Sequence, residues 1–284
     1  MLGKIRDFYS KNQDNNHKVE KNNKTTDSRL RFLGDLLVNQ FCKEFKVKGK
    51  ESIKAEIEKH QENKYIIVSS HFSNLDAPAA IKALGDIFDL QITAQSLSFK
   101  TFAPQNLLFS VGGKENFIPL DYHQTKNHKI GVFNPQNFDT VLARIDHNKT
   151  PWIAAHAFNL HGAMGKPNIG SVYLAQKSKT KIIPVGLEMR GYSVSLEGLA
   201  NITQGLAKRS QGKVIFHIGQ PISLEPIKNL ELIDIVLEKR KKGTIISKEE
   251  KNQFNSVIKQ LRQQSEFVGQ AIADMLPQQH KGYY

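Results

Sequence analysis

The chain has 284 residues, of which 39% are apolar, 24% are charged and 10 are proline. These values exclude a wholly disordered chain, a collagen-like or repeat architecture, and a fold that needs disulfides or metal for its stability. The 40 Lys and Arg residues outnumber the 27 Asp and Glu residues, for a net charge of +13. Such a charge either suits an acidic partner, which could be nucleic acid, anionic lipid or an acidic carrier protein, or reflects a solvated surface with excess Lys.

The N-terminal segment is predicted to be a flexible polar arm. Residues 11–27 are almost all Asn, Lys, Gln, Asp and Thr, which offer too little apolar surface to become ordered. We assign residues 1–28 to this arm and residues 29–284 to a single domain with helical additions at both ends. No later segment has the Gly, Pro and Ser content of a linker.

The expected location is the cytoplasm. No run approaches the roughly 18 apolar residues that span a bilayer, and the first residues lack the apolar core of a signal peptide. The single cysteine, Cys42, cannot form an internal disulfide, which fits a reducing compartment.

An amphipathic helix follows the arm. Leu30, Leu33, Leu37 and Phe41 recur every three or four residues, and Phe45 extends the apolar stripe. A helix with this pattern packs on a core or lies in a membrane surface. Both interpretations stay open.

Further along the chain, short apolar runs alternate with segments of helical periodicity. The predicted strands are 65–68, 91–94, 117–120, 152–155, 182–185 and 214–218, and the predicted helices are 77–84, 138–145 and 171–176. This alternation predicts an α/β fold with a mixed, largely parallel central sheet covered by helices. Ser247 and Glu250 form a capping-box pattern that opens a long C-terminal helix.

The most informative segment surrounds His71, which follows a predicted strand and precedes a helix that Ser73 or Asn74 is predicted to cap. Asp76, five residues after His71, can accept the imidazole N–H, fix the tautomer and support the imidazolium that forms when the other nitrogen takes a proton. The pair would then be a general-base dyad at a strand end, where open α/β sheets bind ligands. The alternative is a structural histidine, with Asp76 acting only as a first-turn helix charge.

The sequence around this dyad resembles a known family. Residues 70–76, Ser-His-Phe-Ser-Asn-Leu-Asp, are similar to the N-H-x-S-x-x-D box of the glycerolphosphate and lysophosphatidic acid acyltransferases. Other segments resemble further blocks of that family in the same order, namely 47–49, 92–121, 182–185 and 219–222. The resemblance implies that residues 29–284 form a single acyltransferase-like α/β domain, and that His71 and Asp76 have catalytic roles. It also implies acyl-CoA or acyl carrier protein as substrate and partner, with no cofactor.

Two blocks depart from the family pattern where it supplies Arg to the phosphate of the acceptor. Tyr122 follows Asp121 in place of Arg, and residues 153–158 read Ile-Ala-Ala-His-Ala-Phe in place of Phe-Pro-Glu-Gly-Thr-Arg. Because Arg binds phosphate bidentately, its loss alters the site. Three consequences stay open: a different acceptor, compensation by the lysines at 126, 129 or 166, or lost catalysis.

We expect a substrate site beside the dyad. Its predicted members are Ser73, Asn74, Asp121, Lys126 and Lys166. The N–H groups at the start of the following helix are the expected oxyanion donors.

Other patterns do not point to metal or nucleic acid. His123 and His128, like His156 and His161, are five residues apart; we expect exposed loop histidines there and no metal, since a third ligand is missing. No base-reading motif accompanies the basic residues, so nucleic acid is not an expected partner.

The predicted function is an O-acyltransferase of phospholipid metabolism that moves a fatty acyl group from acyl-CoA or acyl carrier protein to a hydroxyl acceptor. We expect it to be peripheral at the inner face of the membrane, where the positive surface meets anionic lipid. The alternative is a catalytically inactive acyltransferase-fold protein that binds lipid or acts as a scaffold. Binding of nucleic acid through charge alone is a third hypothesis.

Overall fold

The computed structural model of the chain describes residues 25–73, 75–95, 104–113, 115–120, 122–123, 132–133, 136–156, 162–190 and 212–284. Residues 1–24 of the predicted arm lie outside this part, as do Asn74, Asp121 and Lys126 of the predicted substrate site.

The described chain is anchored from its start. Thr26 is buried, and its hydroxyl donates to Phe88 O at 2.8 Å and accepts from Leu90 N–H at 3.0 Å. These bonds tie residues just before the first helix to the start of a central strand.

Nine strands occur in the described chain. They are β1 (Glu44–Lys48), β2 (Tyr65–Ser69), β3 (Leu90–Gln95), β4 (Phe117–Leu120), β5 (Tyr122–His123), β6 (Val132–Phe133), β7 (Thr150–Ala154), β8 (Lys181–Arg190) and β9 (Lys213–Ile218). Seven of them form a sheet in the order β1-β9-β8-β2-β7-β3-β4, and β5 pairs with β6 separately. Within the large sheet only β8 and β9 run antiparallel. The predicted α/β fold with a mixed, largely parallel sheet is therefore confirmed.

Helices connect and cover these strands. In the described chain they are α1 (Ser28–Phe41), α2 (Lys50–Lys59), α3 (Asp76–Leu84), α4 (Pro104–Gly112), α5 (Gln136–Asp146), α6 (Gly170–Ser178), α7 (Leu232–Lys241), α8 (Lys248–Asp274) and α9 (Gln278–Lys281).

Two crossover connections run in opposite directions along the sheet. From β2 the chain passes through α3 to β3 on one side, and from β7 it passes through α6 to β8 on the other. Since crossovers between parallel strands are right-handed, α3 and α6 lie on opposite faces of the sheet. On the first face α1 packs on α3 and α4, and on the second face α8 packs on α6, α7 and β8.

β2 lies in the middle of this arrangement, between β8 and β7, and all five of its residues are buried. Cover on both faces explains why its sequence is a continuous apolar run instead of an alternating one. The strand delivers His71 to the centre of the carboxyl edge of the sheet.

The predicted first helix is too long at its C-terminal end. α1 ends at Phe41, and the N–H of Cys42 makes the last helical bond, to Val38 O at 2.8 Å. Phe45 lies instead in β1, where it pairs with Val214 of β9. Helical spacing continues through Phe45 in the sequence, but pairing with a distant strand decides its structure.

α1 packs on the core, which is one of the two locations that its amphipathic pattern predicts. Leu30, Leu33 and Leu37 are buried, while Phe32 is exposed on the outer side. None of the helices that the structure describes combines the length and apolarity needed to cross a membrane.

The long C-terminal helix is confirmed, together with its capping box. Ser247 Oγ accepts from Glu250 N–H at 3.1 Å, and the Glu250 carboxylate accepts from Ser247 N–H at 2.9 Å. α8 then runs for 27 residues. The segment after it returns to the carboxyl edge of the sheet, where Tyr283 N–H donates to Met164 O at 2.9 Å.

Candidate active site

His71 lies two residues beyond the end of β2. In the neighbouring strand β7, Ala154 pairs with Ser69, and the pairing extends one residue further because Ala155 N–H donates to Ser69 O at 2.7 Å. The segments after β2 and β7 therefore leave the sheet side by side. This is the edge at which ligands bind in open α/β sheets.

The two residues of the predicted dyad are in direct contact. His71 Nδ1 lies 2.8 Å from Asp76 Oδ2. The side chain of Asp76 is 1% exposed, whereas that of His71 is 27% exposed. A buried carboxylate thus holds an imidazole that reaches the surface.

Further hydrogen bonds fix Asp76. Its Oδ2 accepts the backbone N–H of Phe72 at 2.8 Å and that of Ser73 at 3.1 Å, and its Oδ1 accepts the Ser73 hydroxyl at 3.1 Å. Together with His71, these groups give the buried carboxylate the donors that a charge away from water needs. The turn after β2 is built around Asp76.

The predicted helix cap at Ser73 or Asn74 is wrong. α3 begins at Asp76, and its N-cap residue is Leu75, which makes no side-chain cap bond. The Ser73 hydroxyl donates to Asp76 and accepts from Leu75 N–H at 3.0 Å, so it supports the turn and the dyad.

These contacts define the tautomer of His71. A carboxylate only accepts hydrogen bonds, so we assign the proton of the neutral ring to Nδ1 and the lone pair to Nε2. When Nε2 takes a proton, the adjacent carboxylate stabilises the imidazolium. The pair can therefore act as a general base with an orienting partner.

Several N–H groups in the turn and at the start of α3, where we expect oxyanion donors, already have acceptors. Those of Phe72 and Ser73 donate to Asp76, that of Leu75 donates to Ser73 Oγ, and that of Asp76 donates to Ser73 O at 3.3 Å. A donor engaged inside the chain must give up its bond before it can stabilise a developing oxyanion. These four groups are used by the buried carboxylate and the turn, and an oxyanion site at the start of α3 stays a prediction.

The structure adds a residue that sequence reasoning missed. His156, which we expected to be an exposed loop histidine, is 1% exposed. Its Nε2 accepts the backbone N–H of His71 at 3.3 Å. The only signal in the sequence was its place directly after a predicted strand, and the burial follows from the packing of that segment against the turn after β2.

Aromatic rings pack around the same turn. The ring of Phe72 is buried, with its centroid 5.8 Å from that of His156 and 5.4 Å from that of His280. Trp152 of β7 meets the His71 ring edge-on at 6.4 Å. Residues from two distant parts of the chain, 152–156 and the C-terminal segment, thus pack beside the dyad.

The predicted substrate-binding residues have different outcomes. Ser73 belongs to the dyad's hydrogen-bond network, and Lys166 is exposed. A Cβ placed on the preceding residue, Gly165, would lie 3.7 Å from His156 Nδ1, so the backbone just before Lys166 lies against His156. Within the described residues, no group of three His, Cys, Asp or Glu side chains is arranged to hold a metal.

A cavity of about 560 Å³ lies away from the dyad. Its lining includes Asn63, which precedes β2, and Lys181, which begins β8, together with Ile227 and Asp234. This is the amino edge of the sheet, opposite His71. The cavity is not part of the candidate active site.

No protein-family profile matches the chain, and no curated protein matches it in sequence. Among solved structures, the chain is similar to the crystal structure of the 1-acyl-sn-glycerophosphate (LPA) acyltransferase PlsC from Thermotoga maritima. The TM-score is 0.44 and the identity 13%, over 84% of this chain and 78% of that one.

Proposed function

We propose that this chain is an O-acyltransferase that moves a fatty acyl group from the thioester of coenzyme A or acyl carrier protein to a hydroxyl acceptor. His71 Nε2 takes the proton of the hydroxyl while its oxygen attacks the thioester carbonyl carbon. The tetrahedral intermediate collapses, the C–S bond breaks, and the leaving sulfur receives the proton from the imidazolium. An ester and a free thiol result, and His71 returns to its neutral form.

The observation that carries this proposal is the 2.8 Å contact between the partly exposed His71 and the buried Asp76. The carboxylate holds Nδ1–H, which leaves Nε2 as the basic nitrogen of the ring. General-base assistance of this kind contributes about 10² to 10⁴ in rate.

The serines near His71 support direct attack by the acceptor over a seryl ester intermediate. Ser70 is buried, and its Oγ accepts from Leu187 N–H at 2.9 Å. The Ser73 hydroxyl donates to the carboxylate of Asp76. A nucleophilic serine would instead donate its proton to the imidazole.

We further propose that the acceptor carries an anionic group. Lys166 is exposed in the segment that lies against His156, and we assign its ammonium as the point charge for this group. A lysine contacts phosphate without the bidentate geometry of arginine, so we expect a broader choice of acceptors. Asn74, Asp121 and Lys126 stay predicted members of this substrate site.

The proposed location is the inner face of the cytoplasmic membrane. A net charge of +13 favours contact with anionic lipid, at about 1 kcal/mol per basic residue near a charged membrane. Several lysines are neutralised within the fold, among them Lys50, which pairs with Asp86, and Lys177, which pairs with Asp234. We therefore expect peripheral binding that is weak and sensitive to salt.

Release of free thiol tests the proposal. The purified protein is mixed with palmitoyl-CoA or an acyl carrier protein thioester and with hydroxyl acceptors that carry or lack a phosphate, and the thiol is detected with a chromogenic reagent. A reaction without donor corrects for the thiol of Cys42. We expect release that depends on the acceptor, and a rate lower by about 10² to 10⁴ in His71→Ala.

The matched control is His147→Ala, because His147 is exposed just after α5, away from the dyad. It should retain the wild-type rate. If the wild type turns over no donor with any acceptor but still binds acyl-lipid vesicles, the alternative of a lipid-binding scaffold replaces the enzyme.

A further inference from the structure

The backbone of His71 has its own side-chain acceptor. His71 N–H points to Nε2 of His156 at 3.3 Å, and the two residues follow adjacent strands of the central sheet. The hydrogen bond therefore joins the turn after β2 to the segment after β7. It acts on the residue that carries the base and not on the imidazole itself.

The bond requires one protonation state of His156. A ring nitrogen accepts a hydrogen bond only through its lone pair, so Nε2 must be unprotonated, and a neutral ring then carries its proton on Nδ1. A protonated Nε2 would place two donors against each other. Because His156 is 1% exposed, water is not at hand to accept the His71 N–H in its place.

The contact with His156 completes the hydrogen bonding of the turn. Ser70 N–H donates to Val185 O at 3.0 Å, His71 N–H to His156, and the N–H groups of Phe72 and Ser73 to Asp76. Each N–H from Ser70 to Ser73 thus has a fixed acceptor. The His71 N–H is the one donor of this run whose acceptor is neither Asp76 nor a strand of the sheet; its acceptor is the ring of His156.

His156 also packs against the turn. Its ring centroid lies 5.8 Å from that of Phe72, the residue that directly follows His71. His156 therefore accepts the backbone N–H of His71 and also packs on the residue that follows it. These two contacts together restrict the backbone torsions of His71. Those torsions set the direction in which Nε2 of His71 points.

We propose that His156 is a positioning residue for His71, which through its neutral, Nδ1-protonated ring fixes the backbone of the general base. The expected kinetic effect rests on the proposed function, whereas the hydrogen bond and its geometry do not. Loss of the acceptor leaves the His71 N–H without this partner and allows the turn to shift. A small misplacement of a catalytic group costs up to about 10² in rate.

The first test needs no substrate. In protein labelled with ¹⁵N-histidine, long-range ¹H–¹⁵N correlation spectra distinguish the two neutral tautomers from the imidazolium. We expect His156 to be unprotonated at Nε2, and a coupling across the hydrogen bond to the backbone nitrogen of His71. A proton on Nε2 of His156 would overturn the proposal, whether or not the protein is an enzyme.

The second test uses two substitutions. Gln can place an amide oxygen near the position of Nε2, whereas Leu fills the space without an acceptor. We expect the downfield Nδ1 proton of His71, which donates to Asp76, to persist in His156→Gln and to broaden or vanish in His156→Leu. An unchanged Nδ1 signal in a folded His156→Leu variant would overturn the proposal.

The kinetic test separates positioning from general stability. We expect kcat to fall by about 10 to 10² in His156→Leu with unchanged KM for the donor, and to recover in His156→Gln. His147→Gln, at the exposed position after α5, is the matched control and should leave kcat unchanged. Wild-type kcat in His156→Leu would overturn the proposal. Absence of turnover in the wild type would refute the proposed function instead, and the two spectroscopic tests would still decide the role of His156.

Discussion

The ring of His280 stacks on the ring of Phe72, with centroids 5.4 Å apart and planes inclined by 23°. The ring nitrogens of His280 approach two backbone carbonyl oxygens, Nδ1 that of Gly162 at 2.5 Å and Nε2 that of Met189 at 3.2 Å. Residues near the C-terminus therefore contact the residue that follows His71. We expect the candidate active site to depend on the docking of this segment.

Gly282→Ala tests that dependence. Gly282 has φ of +56°, and a Cβ at this position would lie 2.3 Å from Met164 O. The added methyl group would clash with a backbone oxygen, so the C-terminal segment must move away from Met164. We expect the free energy of unfolding in urea to fall by about 3 kcal/mol, and thiol release to fall with it.

The control for this substitution is Gly243→Ala. Gly243 has a similar φ of +67°, but a Cβ there would meet no atom within 4 Å. It isolates the cost of the left-handed backbone, about 1 kcal/mol. Equal losses in the two variants would show that the contact with Met164 contributes nothing.

Asp76→Asn removes the charge of the dyad and keeps its shape. The amide oxygen can accept the bonds that Oδ2 accepts from His71, Phe72 and Ser73, and the amide N–H₂ can donate to Ser73 Oγ, so the turn should stay folded. The imidazolium then lacks its counter-charge. We expect kcat to fall by roughly 10² or more, measured as thiol release, with little change in the unfolding midpoint.

Ser73→Ala is the companion variant for Asp76→Asn. It removes one bond to Asp76 Oδ1 and the acceptor of Leu75 N–H but leaves the charge. We expect a smaller loss of kcat and a larger loss of stability, about 0.5 to 2 kcal/mol. A wild-type rate in Asp76→Asn would mean that the carboxylate has only a structural role.

Local sequence was sufficient for the dyad and for most of the sheet. His71 and Asp76 are five residues apart on one turn, so their contact depends on a strand end and a helix start that the apolar pattern reveals. The fully buried β2 is also evident as a continuous apolar run.

Contacts between distant segments could not be predicted in this way. His156 and His280 reach Phe72 from the ends of other elements, and neither has a neighbour in sequence that indicates its partner. Phe45 fits a helical stripe, yet it pairs with Val214 in β1 and β9. In each case tertiary packing overrides a local pattern, and the exposure predicted for His156 was wrong for that reason.

Ser247→Ala should destabilise the C-terminal helix. Ser247 Oγ accepts from Glu250 N–H at 3.1 Å, and the carboxylate of Glu250 accepts from Ser247 N–H at 2.9 Å and also contacts Lys239. The loss of the cap is expected to lower the free energy of unfolding by about 0.5 to 2 kcal/mol, measured by urea denaturation. Ser256→Ala, at an exposed position inside the same helix, should raise it by a few tenths, since Ala is the better helix former. A loss of equal size in both variants would contradict the role of the capping box.

Glu188 and His217 link stability to pH. Glu188 is buried on β8; it contacts Arg190, and its Oε2 lies 3.2 Å from His217 Nε2. Burial raises the pKa of Glu188, but the bonds from Arg190 and His217 together outweigh it and leave the pKa below the usual 4.5. For His217 burial is the larger effect and outweighs the bond to Glu188, so its pKa lies below 6.5.

Both pKa shifts make the folded protein less stable as the pH falls. In each case the unfolded chain binds the proton at a higher pH than the folded chain does. The contribution of His217 is complete above pH 6.5 and is lost as the pH falls from there toward its folded pKa, and a second loss, from Glu188, begins below pH 4.5. Urea denaturation at a series of pH values should therefore show a free energy of unfolding that decreases toward acid. In His217→Gln the part of this decrease that begins near pH 6.5 should be smaller than in the wild type. The opposite result, a wild type that gains stability relative to His217→Gln as the pH falls through 6.5, would mean that the contact with Glu188 outweighs burial and that His217 is held as an imidazolium.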